Sequence, residues 1–221
     1  MKLNKFIFPA PKPTYDMRRS NLYLIPSDPP NSEDTIPVIF IRNQEAIKNR
    51  LLIYFHGNGE DIHLASNMIN CVCQQLGYHG VLVEYPSYGV YQHAQPSEEK
   101  LFSDAERVYD FFIRLKFRAQ NVVLFGRSIG SGPAVYLASF KKVRALVLFS
   151  PYVNLQQIAR DHLSILGFIL KKQFRNDEYI RHVEDPVFIV HGKRDRLIPW
   201  RHSERLFAKV KHKVKVLRLP Q

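Results

Sequence analysis

Gly126, Ser128 and Gly130 stand in a G-x-S-x-G spacing within the run FGRSIGSG. An apolar stretch, Val122 to Phe125, precedes it, and a helix-like stretch, Ile129 to Phe140, follows. This is the strand–turn–helix setting that holds a serine hydroxyl out at the carboxyl end of a strand as a nucleophile. Glycine is expected at both flanks because the corner is tight. A side chain at either position would crowd the adjoining strand and helix, and glycine tolerates the backbone angles required. With Gly at roughly 7 % and Ser about as common, a random chain of this length would hold the pattern about 0.08 times. The alternative is a passive serine in a glycine-rich turn. As a nucleophile, Ser128 Oγ attacks an acyl carbonyl to form an acyl-enzyme. The backbone N–H of Ile129, at the start of the next helix, is then placed to receive the developing oxyanion.

Three further segments carry chemistry at strand ends: HGNGED (His56 to Asp61), EYPSYG (Glu84 to Gly89) and HGKRDRLIP (His191 to Pro199). Gly57 and Gly59 let the first loop bend back, and His56 reads as a brace for it. Asp195, just past a strand, reads as the carboxylate that orients a general base. A loop aspartate also serves as a turn residue or helix cap. His191 is expected to be buried at its strand end.

The elements that must position these residues alternate between apolar runs and helical patterns. Strands are predicted at Leu22–Pro26, Val38–Arg42, Leu51–His56, Gly80–Tyr85, Val122–Gly126, Ala145–Ser150, Val187–Gly192 and Val214–Leu219. The middle ones are continuously apolar, as strands covered on both faces should be, and the first two begin antiparallel. Ile62, Ala65, Ile69, Val72 and Leu76 share one helical face. Leu101, Ala105, Val108, Phe112 and Leu115 share another, after the N-cap residue Ser97 and the acidic Glu98 and Glu99. Arg201 to Val210 is a third helix. The pattern predicts an α/β fold: a mostly parallel sheet of about eight strands, helices on both faces, and a site at the strands' carboxyl ends. Residues 152–182 exceed a simple crossover and form a small helical excursion. Carrying the apolar run Leu163 to Leu170, it is a cap that lines an acyl pocket, a segment that dips into a lipid surface, or a helix packed on the core.

In this order the four motifs resemble the α/β-hydrolase superfamily over essentially the whole chain. They are most similar to the eukaryotic subgroup that includes protein depalmitoylases. The resemblance implies a serine hydrolase cleaving acyl esters or thioesters of a small molecule, a lipid or a lipidated protein. It implies Ser128 and Asp195 as catalytic residues, and the N–H of Asn58 as the oxyanion donor that joins Ile129. A serine peptidase of the same fold is equally open. The subgroup's cysteine-rich membrane-attachment segment is not matched in this chain.

The triad order of this fold is Ser, Asp, His, yet only His202 and His212 follow Asp195. His212 lies before the last strand, about 20 Å from its far end. His202 reads as a solvated helix residue. Either the domain over residues 1–221 is truncated before its His-bearing loop and final helix, or the chain is a non-catalytic hydrolase-fold binding protein.

Composition bounds the rest. The 221 residues carry 45 % hydrophobic side chains, two cysteines and a net charge of +12. This suits one α/β domain in a reducing compartment, with the cytoplasm the default location. Basic residues crowd the C-terminal third, from Lys171 to Arg218, and could attract an anionic membrane surface. No nucleic-acid motif accompanies them, so nucleic acid is not the expected partner. No His, Asp or Cys set has metal-ligand spacing, and no cofactor is implied.

Overall fold

A computed structural model describes residues 7–26, 35–47, 49–163 and 173–219. The strands are β1 (Leu22–Pro26), β2 (Thr35–Ile41), β3 (Leu51–Phe55), β4 (His79–Val83), β5 (Val122–Arg127), β6 (Ala145–Phe149), β7 (Val187–Gly192) and β8 (Lys213–Leu219). They form one eight-stranded sheet in the order β1-β2-β4-β3-β5-β6-β7-β8. β2 runs antiparallel to β1 and to β4, while β3 and β4, β6 and β7, and β7 and β8 pair in parallel. The α/β architecture with a mostly parallel sheet is the one expected from the apolar runs. Two compact units divide the chain, Met1–Val123 and Leu124–Gln221.

In the first unit, helix α1 (Ile62–Leu76) starts at Asp61, whose carboxylate accepts the Leu64 N–H at 3.1 Å. It stops at Gly77, whose φ of 69° only glycine adopts without cost. Its buried stripe is Ile62, Ala65, Ser66, Ile69 and Cys73. A side chain at Gly80 of β4 would put its Cβ 2.8 Å from Cys73 Sγ, so the helix rests directly on the strand there. That burial pushes the Cys73 thiol pKa up to about 12. Leu76 was expected on the buried face but is 56 % exposed. Leu115, at the end of helix α2 (Glu98–Arg114), is 55 % exposed. Both occupy helix ends, where the chain turns back toward the next strand and the side chain falls outside the packed stripe. The rest of the α2 face is as expected, and Ser97 caps it by accepting the Lys100 N–H at 3.1 Å.

In the second unit, a 3₁₀ turn (Ser128–Gly130) leads into helix α3 (Ser131–Ala138), buried on nearly every side. The excursion contains helix α4 (Leu155–Leu163), helix α5 (Asn176–Tyr179) and a 3₁₀ turn, Ile180–His182. Asn176 anchors it, donating to Tyr152 O at 2.9 Å and to Ser131 Oγ at 3.1 Å. Of the apolar run Leu163 to Leu170, everything beyond Leu163 lies outside the described residues. Helix α6 (Arg201–Phe207) is shorter than predicted.

His202 corrects the sequence reading. It is not solvated but fully buried. Its Nδ1 accepts the Val153 N–H at 3.1 Å, and its Nε2–H donates to Asp161 Oδ2 at 2.6 Å. A position in the first turn of a helix looks exposed until the α4 carboxylate that covers it is known. Asp161 also receives Arg201 at 2.8 Å and Gln157 at 3.1 Å. Burial would raise its carboxyl, but these donors outweigh burial and lower it. His191 is buried as expected. Its Nε2–H donates to Ile198 O at 2.7 Å, so its Nδ1 accepts from the Ser203 hydroxyl at 2.6 Å. In the first unit, His79 Nδ1 accepts the Asn43 N–H at 3.3 Å. All three imidazoles are depressed below their ordinary pKa, with burial the first cause in each. Each also offers a nitrogen as acceptor, which protonation would abolish.

Two outcomes follow from this packing. Gly80→Ala overfills the contact between β4 and α1 and should cost about 1–3 kcal/mol in urea unfolding. Cys73→Ala on the same chain should recover part of that loss, since it removes the nearest obstructing atom. Unfolding lets His79, His191 and His202 take up protons near their ordinary value of about 6.5, before the folded chain can. Stability should therefore be full above pH ~6.5 and fall below it, by up to about 1.4 kcal/mol per pH unit for each imidazole. Urea melts between pH 7 and pH 5 measure this slope, and His202→Gln should reduce it.

Candidate functional site

The corner at Ser128 is built by the close approach of α3 to β5. A Cβ on Gly126 would lie 2.5 Å from Gly130 O and 2.8 Å from both Ala134 Cβ and Ser131 Cα. No side chain fits there, and nothing nearby is flexible enough to yield. The chain reverses at once after the strand, which sets Ser128 at φ 51°, in the left-handed region that non-glycine residues occupy at a cost. Gly130 has an ordinary helical φ of −64°, so positive φ is carried by the serine and not by its flanking glycines. Ser131 fastens the turn by donating its hydroxyl to Ser128 O at 2.7 Å. Ser128 itself is half-buried and Ile129 is buried, with Ile129 O accepting from the Tyr152 hydroxyl at 3.3 Å.

Asp195 follows β7 in the same unit. Its Oδ1 accepts the N–H groups of Leu197 and Ile198, both at 2.9 Å, so it is a turn residue. Its Oδ2 takes no part in that turn and lies 3.5 Å from His191 Nε2. The carboxylate is thus fixed by one oxygen and presents the other. β5 and β7 are separated by β6 alone. Two strand spacings are about 10 Å, a gap on the scale of a hydroxyl–imidazole–carboxylate relay. Neither His191 nor His202 has a ring nitrogen available for that relay, since both nitrogens of each are engaged. His162, in the excursion, donates its Nε2–H to Leu197 O at 2.7 Å, in the Asp195 turn itself. Nothing in the spacing of His162 and Asp195 signals that the excursion returns to this loop.

In the first unit, the loop after β3 is held by its own network. His56 is fully buried, with Nδ1 against Gly57 O at 2.9 Å and Nε2 against Glu84 Oε1 at 3.0 Å. Its ring stacks on Tyr85 with centroids 3.9 Å apart, and Tyr85 donates its hydroxyl to His56 O at 2.8 Å. Both nitrogens are committed, so His56 braces the loop. Gly57 N–H donates to Glu60 Oε1 at 2.9 Å, and Gly59 turns at φ 77°. Asn58 is exposed, but its side chain is spent: Nδ2 donates to Ile7 O at 2.7 Å and Oδ1 accepts from Tyr88 at 2.9 Å. Burial, reinforced by the Glu84 charge, raises the Tyr88 hydroxyl pKa and keeps it a donor. Sequence reasoning missed Glu84 as the hub of this loop. A carboxylate directly after an apolar strand was the available signal.

No protein-family model matches the chain. Alpha/beta hydrolase domain-containing protein 17B of Homo sapiens is 29 % identical over 185 residues, 82 % of this chain and 62 % of its own length. The uncharacterized protein YfhR of Escherichia coli (strain K12) is 25 % identical over 174 residues, 76 % of this chain and 61 % of its own length. Lysophosphatidylserine lipase ABHD12 of Macaca fascicularis is 27 % identical over 209 residues, 79 % of this chain and 51 % of its own. The chain therefore spans between about half and three-fifths of the length of these relatives. Among solved structures, Est1E of Butyrivibrio proteoclasticus superposes with a TM-score of 0.68 at 20 % identity, covering 91 % of this chain and 89 % of that one. A membrane phospholipase A, a bacterial virulence factor, superposes with a TM-score of 0.65 at 17 % identity, covering 90 % and 78 %. The strand order and the superposed structures agree on the α/β-hydrolase fold, and the chain is similar to proteins of the α/β-hydrolase superfamily.

Proposed function

We propose that the chain carries the nucleophile of a serine hydrolase acting on acyl esters or thioesters, with a lipid or a lipidated protein as substrate. The observation that carries this reading is the left-handed Ser128 on the Gly126 corner. Ser87 and Ser150 also have positive φ, but neither sits between two glycines on a strand-to-helix corner, and it is that combination at Ser128 that matches a nucleophile elbow. The names of the relatives, a lysophosphatidylserine lipase among them, support an ester of a lipid over an amide. Among the described residues no helix is long and apolar enough to cross a membrane.

In the proposed reaction, Ser128 Oγ attacks the acyl carbon while its proton passes to a general base. The C–O or C–S bond to the leaving group then breaks, and that group departs with the proton. Water, deprotonated by the same base, hydrolyses the acyl-serine and restores the hydroxyl. The N–H of Ile129 and the N–H of Asn58 would stabilise the oxyanion. The fixed Asn58 side chain suits this, because it orients the peptide in advance at no cost during reaction. Asp195 would hold the base through Oδ2, the oxygen that its turn leaves over. No described imidazole with a free nitrogen is assigned to the base.

The occupied nitrogens of His191 and His202 favour a second reading, a hydrolase-fold protein that binds acyl ligands without turning them over. A fluorophosphonate probe separates the two. The hydrolase reading expects covalent labelling of the chain that is abolished in Ser128→Ala, with thermal unfolding confirming that the variant folds. Absence of label on the folded chain sinks it in favour of the binding reading. Asp195→Asn should slow labelling, and turnover of a chromogenic acyl ester, by about 10³–10⁴. An unchanged rate removes Asp195 from the mechanism and leaves it as a turn residue.

A further inference from the structure

The first unit holds a cavity of about 550 Å³ away from the His56–Asn58 loop. Arg19, Asn21 and Arg42 line one side, and Ser66, Asn67 and Asn70 of α1 line the other. No carboxylate is among its described lining residues. Arg19 is held in place entirely by neutral groups. Its Nε donates to Asn21 Oδ1 at 2.8 Å, its Nη2 to Ser66 Oγ at 3.4 Å, and its Nη1 to His63 Nδ1. These use three of the five N–H donors of a guanidinium. Some other cations pair with acids: Arg18 with Asp16, Lys100 with Asp104, Arg175 with Glu178 and Arg201 with Asp161. Neither Arg19 nor Arg42 has a carboxylate partner among the described residues. Two guanidinium groups gathered around a concavity without a counter-charge repel each other, and an anion between them relieves that repulsion.

Within the first unit the cavity lies apart from the loop that carries Asn58. Ile41, another lining residue and the neighbour of Arg42, pairs with Gly80 at the amino end of β4. His56, Asn58 and Glu84 follow the carboxyl ends of β3 and β4. We propose that this cavity is a binding site for a phosphate monoester. Guanidinium groups match the planar spread of phosphate oxygens and bind them with paired N–H donors. The asparagine side chains offer both donors and acceptors to a hydroxylated body. Tyr23 and Phe40, which also line the cavity and meet edge to face with centroids 6.3 Å apart, supply a carbon surface. The volume is that of a small-molecule site and exceeds what a bare phosphate would fill. The phosphate could be presented by a soluble ester or by a lipid headgroup, and the two sources share this recognition.

Titration calorimetry with inositol monophosphate tests the site, with inositol as the uncharged control. A sedimentation assay uses phosphatidylcholine vesicles with and without phosphatidic acid. Arg42→Gln and Asn70→Asp change exposed residues and should leave thermal unfolding unaltered. The site predicts binding of inositol monophosphate but not inositol, weakened roughly tenfold or more by each variant and weakened by added salt. Binding confined to vesicles with phosphatidic acid, with the same loss in both variants, supports the site with a lipid as the source. Failure of both probes, or variants that bind like the parent, overturns it. Ser128→Ala should bind as the parent does, so this result is independent of the hydrolase reading.

Discussion

One missing atom governs the corner that carries Ser128. α3 lies on β5 so closely that the position of a Cβ at Gly126 is already taken by Gly130 O, Ala134 and Ser131. The reversal this imposes drives Ser128 to φ 51°. A non-glycine residue in that region costs roughly 1–2 kcal/mol, and the burial of Ala134, Val135, Leu137 and Ala138 on α3 is what holds it there. The strain is local, the compensation is spread over a helix, and the result is a hydroxyl whose position the core decides.

Polar groups do in the loops what apolar contact does under α3. Asp61, Glu84, Asp104, Asn176 and Asp185 are all buried, and each ties together segments distant in sequence. Glu84 accepts from His56, Tyr15 and the Tyr85 N–H. Asp185 accepts the Val143 N–H at 3.0 Å and Lys142 Nζ at 2.5 Å. A buried carboxylate tolerates loss of a donor poorly, so each such hub fixes its loop in one arrangement.

The strands were legible because apolar runs of Val, Ile, Leu and Phe bounded by loops have few other readings, and the sheet order confirms the βαβ rhythm. The Ser128 corner was legible for a similar reason: two glycines around a serine after such a run leave little else to build. What the sequence hid was tertiary. His202 looks solvent-facing from its neighbours Ser203 and Glu204, yet Asp161 from another helix covers it. His162 meets the Asp195 turn only because the excursion returns there. Leu76 and Leu115 obey helical periodicity and are exposed all the same, since periodicity does not say where the packed stripe stops.

The bonds that tie Thr14 and Tyr15 to the loops after β3 and β4 set an order of events during synthesis. Thr14 donates its N–H and hydroxyl to Asp61, 47 positions later, and Tyr15 donates to Glu84, 69 positions later. At a ribosomal pace of about 5–20 residues per second, Tyr15 waits several seconds before its acceptor has even been made. The segment around Thr14 and Tyr15 must therefore emerge early and dock late, and Glu84 completes its shell only when that segment comes back to it.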